Sequence, residues 1–359
     1  MSDPRMNLGL LIPESGPAGI FGPSCLSSAE LAVAELNQHG GLLGCEVTAT
    51  VIDGGADLGD VVRDVSARVS NGEVEALVGW HTSALRREIV RSVGGLVPYI
   101  YTAVYEGGES SPGVFTTGEV PERQIVPALQ WMGRENGITS WFVVGSDYVW
   151  PRRTAGRMWK WATTGVYGSG VRLIGEHFTP LGEPDFSDVL DEIERSGADG
   201  VFVLLLGQDA VSFNRQFAAR GLDRDLPRLG PLIDENMLLA GGAGAARELY
   251  SVSGFFESLG TGHSLEFGGR YAERFGASAP PLASPGESCY EGVRLLAELV
   301  ERSASVNVSE LSAHAQADIH YDSPRGHVRF RRHHLAQDVY MAKARGLEFD
   351  VLEQIAAVG

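Results

Sequence analysis

Hydrophobic residues along this chain come in short runs that alternate with amphipathic stretches, and the two periods take turns. Residues 7–12 (NLGLLI) read as a buried strand, and 46–52 alternates with Val47, Ala49 and Val51 on one side. Between them, Leu26, Ala29, Val33 and Leu36 recur at helical spacing across 24–38, and Gly40-Gly41 closes that helix. Val61, Val65 and Val69 mark a second helix over 58–70, and 76–78 and 99–101 are further apolar strands. A second block repeats the pattern: a helix over 123–135, a strand opening at Trp141, strands over 173–178 and 201–206, and a helix carrying Val211, Phe213 and Phe217. From 250 onward helices are expected over 265–275, 286–302 and 308–315, then short strands over 326–330, 339–342 and 349–351. Strands alternating with helices predict βα units, a mostly parallel sheet in each block, and an α/β protein of two lobes.

In such sheets ligands collect beyond the carboxyl ends of the strands, so the residues at those ends carry the functional expectation. Trp80, His81 and Ser83 follow the third strand, and Ser83 also suits the cap of the helix beginning there. The fourth strand ends in Tyr101, Ala103 and Tyr105. The Trp141 strand ends in Tyr148 and Trp150, and the 201–206 strand runs into Gly207-Gln208. Free N–H groups at a helix start can hold a carbonyl or carboxylate oxygen, which makes Ser83 the expected anchor for a carbonyl.

The length, 359 residues with 43% hydrophobic, suffices for two cores. A formal charge of −17 excludes direct nucleic-acid binding and attraction to an anionic membrane. No apolar run reaches the ~18 residues of a membrane helix. The first residues show no basic segment, apolar segment and cleavage site, which predicts a cytoplasmic protein. Cys25, Cys45 and Cys289 lie far apart in sequence and read as small buried hydrophobes rather than a disulfide framework or a metal site. Arg325, Arg329, Arg331 and Arg332 with His327, His333 and His334 form a basic cluster, read as the solvated face of a strand. The apolar positions of 285–308 suggest a surface for a homodimer. The chain lacks the spacing of the familiar nucleophile, metal-protease and P-loop motifs, so no enzyme, cofactor or metal is expected.

Four stretches, Val144-Gly145-Ser146-Asp147-Tyr148-Val149-Trp150-Pro151-Arg152, Tyr101-Thr102-Ala103-Val104-Tyr105-Glu106-Gly107, Pro180-Leu181-Gly182-Glu183-Pro184-Asp185-Phe186-Ser187 and Tyr321-Asp322-Ser323-Pro324-Arg325-Gly326-His327-Val328, resemble the type I periplasmic-binding fold. They are most similar to its branch of urea- and short-amide-binding proteins and the amide sensor of aliphatic amidase operons. The resemblance implies a two-lobed fold with a three-segment hinge and a ligand held by Ser83, by Tyr101 to Ala103, and by Tyr148. This chain departs from the amide-sensor pattern at His81, Ala103 and Trp150. It further implies a short amide or urea-like ligand and a regulatory protein partner resembling an antiterminator. A transport receptor for the same ligands is the alternative, and an amide-hydrolysing enzyme a lesser one. Expected lobe boundaries are 6–120 plus 251–324 and 121–250 plus 325–359, with crossings at 118–121, 251–254 and 323–326. A ligand of four heavy atoms gains at most ~1.5 kcal/mol from each, so a dissociation constant on the order of tens of micromolar is expected.

Overall fold

The computed structural model describes residues 5–168 and 170–358. Two sheets organise them. The first lobe begins with β1 (Arg5–Ile12), α1 (Gly22–Gln38), β2 (Glu46–Asp53), α2 (Leu58–Ser70), β3 (Ala76–Gly79), α3 (Ser83–Val93), β4 (Tyr99–Tyr101) and β5 (Val114–Thr116). The second follows as α4 (Pro121–Asn136), β6 (Ser140–Ser146), α5 (Val149–Thr164), β7 (Arg172–Thr179), α6 (Ser187–Ser196), β8 (Gly200–Leu204), α7 (Gln208–Ala219), β9 (Arg228–Gly230), α8 (Glu235–Gly241) and β10 (Leu249–Ser253). The chain then returns to the first lobe through α9 (Gly262–Phe275), α10 (Ser284–Ser303), α11 (Val308–His314), β11 (Ile319–Ser323), β12 (Gly326–Arg331) and β13 (His334–Ala336). It ends in the second lobe with β14 (Val339–Arg345) and β15 (Glu348–Ala356).

The first sheet has the order β11-β12-β13-β5-β4-β3-β1-β2, and the second β15-β14-β10-β9-β8-β6-β7. In the first, β1 to β5 pair in parallel, and β11 to β13 add an antiparallel edge. The strands β3, β4, β6 and β8 are buried along their whole length, as helices on both faces require. This is the two-lobed α/β fold expected, and β12, β14 and β15 fall where short strands were expected. The three-residue strands β5, β9 and β13 are too short to carry a period.

The chain passes from the first sheet to the second between β5 and α4, and leaves the second after β10. Ser323 to Gly326 is a hairpin turn joining β11 to β12, with Gly326 at φ 99°, and the chain leaves the lobe only at Gln337 and Asp338. Residues 325–336 therefore complete the first sheet, and the expected boundary at 324 moves by about one hairpin.

Arg325 leaves the solvated cluster altogether. It is fully buried, its Nε paired with Glu287, its Nη2 donating to Ser288 Oγ and its Nη1 3.7 Å from Glu119. Glu119 in turn accepts from the Gly254 N–H at 2.7 Å. Arg329 and Arg331 keep to the wetter face of β12, while Val328 and Phe330 face inward. The surface assigned to a homodimer is also spent internally: the apolar side of α10 packs on α1 and on β3 and β4, and Pro285, Cys289, Val293, Leu296 and Val300 are buried. Cys25 and Cys289 are buried and Cys45 half-buried, all three as free thiols.

Candidate functional site

The apolar run of β3 ends at Gly79, and Thr82 caps α3 by accepting from the Leu85 N–H. Thr82, rather than Ser83, is thus the cap. Ser83 becomes the first helical residue, and Arg86, three positions on, shares its face. Both side chains reach Glu106, which follows β4: Ser83 Oγ donates to Oε2 at 2.7 Å and Arg86 Nη2 to Oε1 at 2.8 Å. Arg86 also lies 3.1 Å from Glu109, and its guanidinium is 5.0 and 4.7 Å from the ring centres of Tyr101 and Tyr105. All of this is buried, with Arg86 3% and Glu106 2% exposed. An unpaired charge there would be untenable, and the pairing is what permits it.

The remaining protons in this wall can be assigned. The Tyr101 hydroxyl donates to the His81 carbonyl at 2.8 Å, and lies 3.4 Å from Ser83 Oγ. His81 Nδ1 lies 3.2 Å from the Thr82 carbonyl, so that nitrogen carries the proton and Nε2 accepts from the Tyr99 hydroxyl at 2.7 Å. Burial pushes His81 down to about 3, with Arg86 contributing, so the ring is neutral. Ser83 and Tyr101 have each committed their hydroxyl proton to the protein, leaving only oxygen lone pairs free. The Ser83 proton expected for a ligand carbonyl is held by Glu106 in this structure.

From the second lobe, Tyr148 stands at the N-terminus of α5, half-buried, with its ring 6.3 Å from that of the buried Trp150. Burial first, then the proximity of Tyr101, Glu106 and Asp209, raises the Tyr148 hydroxyl well above the ordinary phenol range. Tyr148 leads into α5, which lies against α3 across the lobes. The indole N–H of Trp150 is buried without a partner. Asp209, buried at the start of α7, accepts from the Gly182 N–H at 3.1 Å and is pushed up to about 6 by burial.

Other expected residues take different positions. Tyr105 turns its hydroxyl to His334 Nδ1 at 2.7 Å, on the far side of Arg86. Ala103 is buried, and its carbonyl lies where a side chain on Gly118 would stand, so it shapes the first crossing. Gln208 is exposed, and it is its backbone N–H that reaches the other lobe, donating to the Pro17 carbonyl at 2.9 Å. Toward the hinge, a narrow cavity with room for about one water lies among Trp80, Val104, Asp234, Ser253, Ser284 and Ser288.

Arg86, Glu106, Asp209 and Asp234 were not among the expected ligand contacts. The spacing of Ser83 and Arg86 could have found the first. The others meet only in three dimensions. Among the described residues, no three His, Cys, Asp or Glu side chains are placed to hold a metal ion, and no helix is long and apolar enough to cross a membrane.

Asp234 and Glu235 carry a pH consequence. Burial pushes them up to about 6 and about 8, and Asp234 adds to the rise at Glu235. Folded values above the unfolded ones mean that their contribution to stability is whole below about pH 4 and is lost as pH rises toward 8. Urea unfolding should therefore show stability falling between about pH 4 and 8, by on the order of 5–8 kcal/mol, and Glu235→Gln should remove more than half of the fall. A curve that keeps its slope in that variant would refute the assignment.

The profile described as "Periplasmic binding protein" matches residues 6–348. The chain is 24% identical over 347 residues to the Leu/Ile/Val-binding protein homolog 6 of Brucella melitensis, covering 94% of this chain and 86% of the relative. Among solved structures, it is similar to an ABC transporter solute binding protein from R. palustris in complex with benzoate (TM-score 0.83, 21% identity, 98% and 97% covered). It is also similar to the branched-chain amino acid transporter protein LivJ from Streptococcus pneumoniae in complex with isoleucine (TM-score 0.83, 19% identity, 97% and 99% covered). The expected cytoplasmic location is overturned by this match, since the family works outside the cytoplasmic membrane. With nearly the whole chain matched and both lobes in place, this protein belongs to the periplasmic binding protein family and is one of its ligand-binding members.

Proposed function

We propose that the protein is the solute receptor of an ABC-type importer and closes on a small molecule rich in N–H donors, a short amide or urea-like compound. The observation that carries this is the proton inventory of the Ser83 wall. Ser83 and Tyr101 offer lone pairs, Glu106 adds a carboxylate, and the one guanidinium present, Arg86, is shared by Glu106 and Glu109, which leaves the wall net negative although its buried Nε and Nη1 make no hydrogen bond. A bare carboxylate such as benzoate would meet acceptors and negative charge there, which costs several kcal/mol of unpaired desolvation. An NH2 group would complete the pattern. Tyr148 and Asp209 would meet the same guest from the second lobe, and a ligand that touches both lobes favours the closed form by its differential affinity.

The arrangement favours a receptor over a hydrolase. The only base at the Ser83 hydroxyl is the Glu106 carboxylate, whose charge Arg86 already holds, and His81 turns its basic nitrogen to Tyr99, so no imidazole serves the serine. Incubation with acetamide should release no ammonia.

Melting and calorimetric titrations with acetamide, urea, isoleucine and benzoate test the ligand class. Acetamide or urea should bind with a constant on the order of tens of micromolar, and benzoate should not bind. Benzoate binding more tightly than the amides would overturn the reading; isoleucine alone would move the ligand class to amino acids. Ser83→Ala and Tyr148→Ala should each weaken the amide by about 5- to 30-fold, the value of one or two hydrogen bonds, without unfolding the protein. The second reading, a sensor of the same ligand that signals through a regulatory protein, is favoured by the four motif stretches. In-cell cross-linking separates the two, through capture of a permease or of a soluble regulator.

A further inference from the structure

Outside the cleft, the second lobe carries a recess of about 230 Å³ lined by Glu235, Glu257, Ser258, Glu348 and Phe349. Three of its five residues are carboxylic acids, and no lysine or arginine lines it. Glu257 and Glu348 are exposed at the rim, close enough that burial and then the Glu348 charge raise the Glu257 carboxyl. Glu235 lies at the floor and is 4% exposed. Its Oε1 accepts from the Glu257 N–H at 2.9 Å, and its Oε2 has no partner. A buried carboxyl oxygen left unpaired beside a recess is costly, and a cation entering the recess would supply a donor and draw the raised Glu235 carboxyl back toward its ionised form. Phe349 packs on Phe256 with ring centres 5.1 Å apart and supplies an aromatic wall.

We propose that this recess is a second binding site, for a small organic cation whose ammonium or guanidinium head meets Glu235, Glu257 and Glu348. The donor set favours an organic head over a metal ion, because these carboxylates are not arranged as a coordination shell and an aromatic wall attracts a soft, weakly hydrated cation. Its volume accepts a free amine rather than a folded partner. The site has a route to the cleft: Asp234, the preceding residue, lines the cavity between the lobes, so an occupant that fixes Glu235 also fixes the start of α8.

The test uses n-butylammonium and guanidinium chloride at low millimolar concentration and constant ionic strength, with calcium chloride and sodium chloride as parallel arms. Wild-type protein should show a saturable rise in melting temperature with either organic cation. The double variant Glu257→Gln, Glu348→Gln should bind at least tenfold more weakly, while its melting without probe and its response to acetamide stay as in the wild type. The site is overturned if no saturable rise occurs, if sodium chloride reproduces it, if it survives in the double variant, or if calcium alone produces it. None of these outcomes depends on the ligand of the cleft, so the two readings fail separately.

Discussion

Arg325→Met should destabilise the protein by about 3–5 kcal/mol at pH 7, the cost of leaving buried carboxylates without their cation. Arg325 is fully buried, and it is the guanidinium shared by Glu287 on α10 and Glu119 on the first crossing. Glu291, one turn beyond Glu287, is buried too and accepts from the Tyr321 hydroxyl. Removing one positive charge would leave Glu119 and Glu287 facing each other in low dielectric, and one of them must take up a proton or water must enter. The effect reaches the hinge, because Glu119 also accepts from Ser253 and Gly254 on the second crossing, and Gln337 of the third lies against Gly254. Denaturant titration measures the loss. A loss below about 1 kcal/mol would mean that the network is no more than a surface pair in its energetics.

Gly207→Ala should weaken ligand binding by about 10- to 100-fold, or roughly 1.4–2.8 kcal/mol. Gly207 adopts φ 45°, ψ −112°, and a Cβ there would lie 2.1 Å from the Pro17 carbonyl oxygen of the opposite lobe. That carbonyl is the acceptor for the Gln208 N–H, so the two lobes meet at backbone distance. A methyl group at this point obstructs the closed form, whereas opening relieves the contact. The strained backbone costs a further 1–3 kcal/mol or so in either form. Small-angle scattering with and without ligand reads the outcome: the variant should stay expanded where the wild type contracts. Equal contraction and equal affinity would show that closure does not pass through this contact.

These expectations concern contacts that no single stretch of sequence displays. The Ser83, Tyr101 and Tyr148 positions were legible because each stands at the end of an apolar run, where a parallel sheet opens its crevice. The direction of their hydrogen bonds was not. Ser83 looked like a donor until Glu106, 23 residues away, was found to hold its proton. Gln208 stands at such a strand end too, but it is its own backbone N–H that meets the other lobe, and its side chain is exposed. Arg325 sat among six other basic residues, and only the hairpin at Ser323 to Gly326 turned it inward.

What the sequence determined by itself was the alternation of strand and helix and the number of lobes. These follow from local hydrophobic period and from the chirality that makes βα units wind one way, neither of which needs a distant residue. The tertiary structure alone decided which buried charges pair, where the chain makes its last crossing, and which hydroxyls still have a lone pair to offer. Pairing in low dielectric is a property of distance in space, and residues such as Glu119, Glu287 and Arg325 become neighbours only after both sheets have formed.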